Sequence, residues 1–272
     1  MQSAVFSSLC PLHTAPDASA PLADELLCGW PVEILSAAGP SWAYVRTHYR
    51  YEGYAPTCCL TVRPEEEEAW RAQRKALILQ PAADVLKHPA VSAPRVCTLL
   101  RGSLVAPEGE PQEGWQKILL PHGVCGYTKC SFLGPYPTTP RWDGLRRRVV
   151  EAATAYRGVQ YRWGGKSPLG IDCSGLVFMA YFLNGLLLYR DAKIVPGFPV
   201  RPIPLSQAQP ADLLFFPGHV ALCLEGGRYL HATARAGSDG VVINSLRPED
   251  PLFRTDLAQS LQTAGTVFPL ET

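Results

Sequence analysis

Apolar and polar positions follow two different rhythms along this chain. In the first half, apolar residues come in short runs broken by Gly and Pro clusters. Residues 31–35 and 42–46 read as strands separated by the turn cluster 38–40, and the segment closes on the aromatic run 49–55 around Gly53. Residues 76–79, 97–100, 115–119 and 123–127 repeat this plan: an early apolar run, a Trp-containing strand and a late Gly-Tyr. Many short strands with Gly and Pro turns predict two small all-β barrels, at 1–63 and 76–134. Each is too small for a large core and leans on its neighbours. A short linker helix is expected within 64–75, where Glu65 to Glu68 supply the acids favoured in a first helical turn.

The Pro-rich stretch 134–140 can continue neither strand nor helix, and beyond it the period lengthens. Residues 143–156 place Leu145, Val149, Ala152 and Ala153 on one helical face. A loop follows over 158–171, then an apolar helix over 173–187 with Asp172 as its N-cap. Residues 212–216, 219–224, 228–233, 241–245 and 266–268 read as strands, with 225–227 as a hairpin turn. Two helices followed by sequential strands predict an α+β domain with an antiparallel sheet over 141–272.

Composition narrows the function classes. The chain has 272 residues, room for two or three small domains, and 25 Lys plus Arg nearly balance 24 Asp plus Glu. That balance argues against nucleic acid and against anionic lipid as partners. The first basic residue is Arg46, and residues 1–20 hold no long apolar run, so no secretory signal and no membrane insertion are expected. The expectation is a cytoplasmic protein whose nine cysteines are reduced thiols packed as small apolar residues. Cysteine spacing offers no paired zinc cluster, and no metal or cofactor is expected.

Candidate chemistry concentrates in the second half. Cys173 starts a helix, where unpaired N–H groups and the macrodipole favour a thiolate and can lower a thiol pKa. Ser174-Gly175 keeps the side chains beside the sulfur small. His219 opens a strand and suits the base that takes the thiol proton and returns it to a leaving amine. His231, beyond the hairpin, suits a third group that orients that base. A strict two-residue turn would pair His231 with Leu222, leaving it offset from His219 by about 10 Å along the strand. A longer loop or a bulge is needed to correct this. His13, His48, His88 and His122 are read as surface residues.

The run Tyr161-x-Trp163-Gly164-Gly165 through Gly170-Ile171-Asp172-Cys173-Ser174-Gly175, then 211–216, His219-Val220-Ala221 and Tyr229-Leu230-His231-Ala232, resembles the NlpC family of papain-like cysteine peptidases. The resemblance covers about 141–270, and the two preceding β-rich segments resemble bacterial SH3-like domains. The layout is similar to γ-D-glutamyl-L-diamino acid endopeptidases with two such domains before the catalytic one. The resemblance implies Cys173 as nucleophile, His219 as base, His231 as orienting group and Tyr161 as a donor to the oxyanion, with the Cys173 N–H as its partner. It further implies that Asp172 and Ser174 bind the amino end of the substrate, and that Tyr51 of the first SH3-like domain lies beside it. The implied substrate is a murein peptide with a free N-terminal L-Ala; with no secretory signal expected, the reading is recycling of soluble peptides, by a monomer. Two alternatives stand beside this reading: an amidase or wall-remodelling hydrolase using the same triad, and a non-catalytic wall-peptide binding module.

Overall fold

A computed structural model describes residues 1–61 and 64–269. Val62 and Arg63, at the end of the first predicted domain, and residues 270–272, at the end of the last, lie outside the described residues. The chain divides into two compact units, Met1–Tyr136 and Pro137–Thr272, so the break falls within the Pro-rich stretch.

The first unit is all-β apart from one α-helix and two short 3-10 turns among the described residues. Strands β1 (Gln2–Ala4), β2 (Leu9–His13), β3 (Leu22–Leu27), β4 (Pro31–Ala37), β5 (Trp42–Thr47) and β6 (Glu52–Pro56) form an antiparallel sheet in the order β1-β4-β5-β6-β2-β3. Helix α1 (Pro64–Ala72) follows. Strands β7 (Ala76–Ile78), β8 (Ala82–Leu86), β9 (Arg95–Leu100), β10 (Leu104–Gln112), β11 (Trp115–Leu119), β12 (Cys125–Lys129) and β13 (Leu133–Pro135) form a second sheet, ordered β13-β7-β10-β11-β12-β8-β9. Apart from the added β13, the second order is the first one shifted by six strands. The internal repeat seen in the sequence is thus a repeat of topology. The two sheets share hydrogen bonds: the Leu104 N–H donates to Cys28 O at 2.8 Å, and Trp30 Nε1 donates to Gly102 O at 2.9 Å. Small cores lean on each other here, as their size requires.

The second unit is α+β, as the longer period predicts. It contains α2 (Leu145–Thr154), the two-residue strands β14 (Lys166–Ser167) and β15 (Gly170–Ile171), α3 (Cys173–Phe182), strands β16 (Arg201–Ile203), β17 (Leu213–Phe216), β18 (His219–Cys223), β19 (Arg228–Thr233), β20 (Gly240–Ser245), helix α4 (Thr255–Ser260) and β21 (Thr263–Thr266). The antiparallel sheet runs β16-β21-β17-β18-β19-β20. Helix α3 is apolar around its whole circumference because every residue in it except Ser174 is buried, against α2 on one side and β18 and β19 on the other. It ends at Phe182, five residues short of the predicted 187, where the Asn184 side chain turns back to donate to Ala180 O at 2.9 Å. The last strand lies at 263–266, earlier than the predicted 266–268.

Two expectations need correction. His13 is buried, not on the surface: its Nδ1 contacts Ala20 O at 2.8 Å and its ring packs edge-on to Trp42. His48 and His122 are half-buried against Trp30 and Phe6, and His88 is exposed as expected. The cysteines are all free thiols, but they are not uniformly packed inside: Cys58 and Cys125 are exposed, and Cys59, Cys97 and Cys130 half-exposed. Cys58, Cys59 and Cys130 lie in short 3-10 helices after strands, while Cys97 and Cys125 lie on strands, where alternation turns every second residue outward.

Candidate active site

The site is built on the start of α3 and on three adjacent strands. Asp172 caps the helix, its Oδ1 accepting from the Gly175 N–H at 2.6 Å. The loop before it is pinned to the same carboxylate, the Gly164 N–H donating to Oδ2 at 2.9 Å. Gly175 is required by close approach: a Cβ there would stand 2.2 Å from Gly165 O. Arg190, which reaches back from beyond the helix, completes the cluster. Its Nη1 donates to Asp172 Oδ1 at 3.1 Å and to Ser174 Oγ at 2.7 Å, and its Nη2 donates to Asp172 Oδ2 at 2.9 Å. Both side chains are almost fully buried, 2% exposed for Arg190 and 10% for Asp172. A bidentate guanidinium of this kind is rigid and carries its charge at any pH. Ser174 in turn donates to Asp172 Oδ1 at 3.1 Å.

The strands supply the histidines. In the β18–β19 hairpin Leu222 pairs with Leu230 and Cys223 with Tyr229, and Leu224 N–H donates to Arg228 O at 2.8 Å. Residues 225–227 form the loop, with Gly226 at φ 69° and Gly227 at φ 75°, both left-handed. The loop is therefore one residue longer than the strict two-residue turn. Its extra residue moves the register so that Ala221 stands opposite His231. His219 then lies on the same face, diagonal to His231, at a separation that two imidazoles span. His219 Nε2 and His231 Nδ1 are 2.8 Å apart. The diagonal step is repeated on the next strand: His231 pairs with Val242, and Asn244, two residues on, places Oδ1 2.9 Å from His231 Nε2. Asn244 is a site residue that the sequence reading missed. Its signal is a polar side chain within the apolar strand 241–245, on the face that carries His231.

Cys173 is 6% exposed, and its sulfur lies against the N–H groups of Val220 and Ser174, which places it next to His219 on β18. Burial pushes the Cys173 thiol up to about 11, with the Asp172 carboxylate adding to the rise and the two N–H groups and Arg190 opposing it. The expected lowering by the helix start is thus reversed, because desolvation and a neighbouring carboxylate outweigh the helix dipole here. Burial likewise pushes His219 down to about 4, reinforced by His231 and Arg254, and pushes His231 down to about 4. At neutral pH the resting pair is a thiol beside a neutral imidazole, so attack requires proton transfer to His219 as the sulfur moves onto its target. Tyr161, half-buried in a bridge to Ile171, feels the charges of Cys173 and Asp172, and burial raises its hydroxyl pKa. It therefore remains a hydrogen-bond donor, as an oxyanion site requires.

Cys173, His219, His231, Tyr161, Asp172 and Ser174 thus come together in the second unit. Tyr51 belongs to the first unit, at the turn between β5 and β6, where its N–H donates to Thr47 Oγ1 at 2.9 Å. An apolar cavity opens beside Ser174, walled by Val177, Tyr189, Phe198 and Phe215, with Lys193 on its lining. Among the described residues no group of His, Cys, Asp and Glu is arranged to hold a metal ion.

Residues 158–253 match the NlpC/P60 family, and residues 12–58 match the bacterial dipeptidyl-peptidase Sh3 domain. Dipeptidyl-peptidase 6 of Lysinibacillus sphaericus is 40% identical over 273 residues, spanning 98% of this chain and 100% of the relative. The chain belongs to the NlpC/P60 family. The chain is also similar to a γ-D-glutamyl-L-lysine dipeptidyl-peptidase of Bacillus subtilis, 32% identical over 99 residues, 33% of this chain and 32% of that protein. The fold is shared with an NlpC/P60 family protein of known structure from Bacillus cereus, with a TM-score of 0.80, 20% identity, and coverage of 99% of this chain and 100% of that one. Cys173, His219 and His231 thus all fall within the NlpC/P60 match, which follows an Sh3 domain at the N-terminus.

The buried histidines make stability depend on pH. Both have folded pKa values near 4, below the unfolded value of 6.5, so the unfolded chain takes up protons first as pH falls. Their contribution is complete above pH 6.5 and is lost as pH drops towards 4. Thermal melts over that window should show a falling melting temperature whose slope flattens in His231→Gln, and an unchanged slope would contradict this linkage.

Proposed function

We propose that this protein is a cysteine endopeptidase that hydrolyses the γ-D-glutamyl–diamino acid bond of murein peptides with a free N-terminal L-Ala. The observation that carries the reading is the thiol of Cys173 set beside a hydrogen-bonded pair of neutral histidines. The full-length similarity to dipeptidyl-peptidase 6 and the γ-D-glutamyl-L-lysine specificity of the Bacillus subtilis relative support the bond chosen. The Cys173 proton passes to His219 as sulfur attacks the γ-carbonyl of D-Glu. Tyr161 and the Cys173 N–H hold the oxyanion, His219 protonates the departing amine, and water then hydrolyses the thioester. Asp172 and Ser174 are assigned to the amino end of the peptide, and Tyr51 keeps the part there that the resemblance implies.

The second sheet, with the strand order of the first, is assigned as a second SH3-like domain. We place the protein in the cytoplasm as a monomer that recycles soluble peptides. Nine free thiols fit a reducing compartment, and no helix among the described residues is long and apolar enough to cross a membrane.

The test is a mass-spectrometric digest of L-Ala-γ-D-Glu-meso-diaminopimelate beside its N-acetylated form. Release of L-Ala-D-Glu from the free peptide alone is expected. Equal cleavage of both peptides would overturn the requirement for a free amino end, and cleavage of neither would overturn the substrate.

A further inference from the structure

We propose that Asn244 is a positioning residue that sets the tautomers of both active-site histidines and so points the basic nitrogen of His219 at the thiol. The inference rests on the cysteine-peptidase reading of this site. Asn244 Nδ2 lies 3.1 Å from the carbonyl oxygen of Leu252, which can only accept a hydrogen bond. The amide NH2 therefore faces Leu252, and Oδ1, an acceptor, faces His231 Nε2 at 2.9 Å. His231 Nε2 must carry a hydrogen to make that bond. A neutral imidazole carries one ring proton, so His231 Nδ1 is a bare lone pair. Facing it at 2.8 Å is His219 Nε2, which must then be the N–H. Nδ1 of His219 is left without a proton, and it is the nitrogen free to accept one from Cys173.

Without the Asn244 acceptor the same two rings have a second arrangement with equal numbers of protons. His231 would carry hydrogen on Nδ1 and donate to His219 Nε2, and His219 Nδ1 would become an N–H. Such a pair makes the same His–His bond but cannot take the thiol proton. Asn244 touches neither the sulfur nor His219, and it decides between the two states from one strand further out. Strands β18, β19 and β20 make this possible by repeating one diagonal offset, from residue 219 to 231 and from 231 to 244.

Other charged and titratable groups face the pair without choosing between the tautomers. Asp172 and Cys173 lie on the α3 side, Tyr229 packs on His231 from its own strand, and Arg254 and Asp256 flank it near α4. Arg254 is held by Asp256 through Nε at 2.8 Å and Nη2 at 2.6 Å, and its charge disfavours protonation of both rings alike.

The experiment uses the full chain labelled with 15N-histidine, with two-bond proton–nitrogen NMR to read which ring nitrogens carry hydrogen. Alongside it, iodoacetamide alkylation of Cys173 is followed against pH by mass spectrometry of the peptide that contains it. Wild type should show both histidines with hydrogen on Nε2. Asn244→Leu should bring up the Nδ1–H form of His231 and slow alkylation at neutral pH by roughly 10–100-fold, the scale of effect seen when the outer hydrogen-bond partner of a metal-bound imidazole is removed. Asn244→Asp keeps the acceptor, so the tautomers should persist. Its added negative charge should move the acid limb of alkylation to higher pH by about one unit. A merely structural tie between β20 and Leu252 would leave the tautomers of Asn244→Leu unchanged. Wild-type His219 with hydrogen on Nδ1, or Asn244→Leu with unaltered tautomers and alkylation, would overturn the proposal. If Asn244→Leu does not fold, Asn244→Asp carries the test, and His231 with hydrogen on Nδ1 in that variant would overturn the proposal. None of these readouts needs a substrate, so failure to cut a γ-D-glutamyl peptide would be seen separately.

Discussion

Replacing Cys173 by Ala should leave the protein folded and lower kcat/KM on the L-Ala-γ-D-Glu-meso-diaminopimelate peptide by on the order of 10⁴-fold or more. No neighbouring group can take over as nucleophile. The Ser174 hydroxyl is engaged by both Asp172 and Arg190, and the other buried cysteine of this unit, Cys223, packs in the cluster with Tyr229 and Phe216. Folding survives because the helix start is capped by Asp172 and not by the thiol, and Ala fits a buried position with little loss of volume. Peptide turnover by mass spectrometry, with circular dichroism to confirm the fold, measures both halves of this expectation. Activity within tenfold of wild type would remove Cys173 from the chemistry.

Replacing Arg190 by Leu should produce the largest loss of stability. The guanidinium is the partner that offsets a carboxylate removed from water, and taking it away leaves Asp172 buried with uncompensated charge. Breaking such a pair from one side costs about 3–5 kcal/mol. For a domain of this size that corresponds to a fall in Tm of roughly 10–17 °C. The cost arises from the stranded charge, so adding Asp172→Asn to Arg190→Leu should recover part of it, because a neutral amide is cheaper to bury. Differential scanning calorimetry of the two single variants and the double variant checks this. A single Arg190→Leu protein melting within about 1 °C of wild type would mean that Asp172 does not depend on Arg190.

Much of this architecture is legible in the residues themselves, and the parts that are not share a cause. The start of α3 is visible because a cap, a small residue and an apolar run are all local signals. Strands β17 to β20 are visible because each is bounded by turn residues. What sequence leaves open depends on sums or on partners far along the chain. The Cys173 thiol balances burial and Asp172 against the helix start, and only the packed structure weighs them. Arg190 is separated from Asp172 by a helix and a loop with no periodic signal. Asn244 gains meaning only once the register of two hairpins is known, since a shift of one residue would put it on the opposite face. His13 is polar and beside a proline, yet Trp42 covers it, a contact that alternation along β2 alone cannot show.

The three-residue loop 225–227 has a consequence for how this enzyme can change over time. Exposed hairpin tips ordinarily accept insertions and deletions more readily than any other part of a domain. Here the tip sets which imidazole faces which. Losing one glycine would turn every side chain of β19 over, carrying His231 to the far side of the sheet while leaving the thiol and His219 where they are. A solvent-facing segment distant from any bond being broken is thereby held to a fixed length, and lineages of this enzyme can vary the composition of that tip far more freely than its residue count.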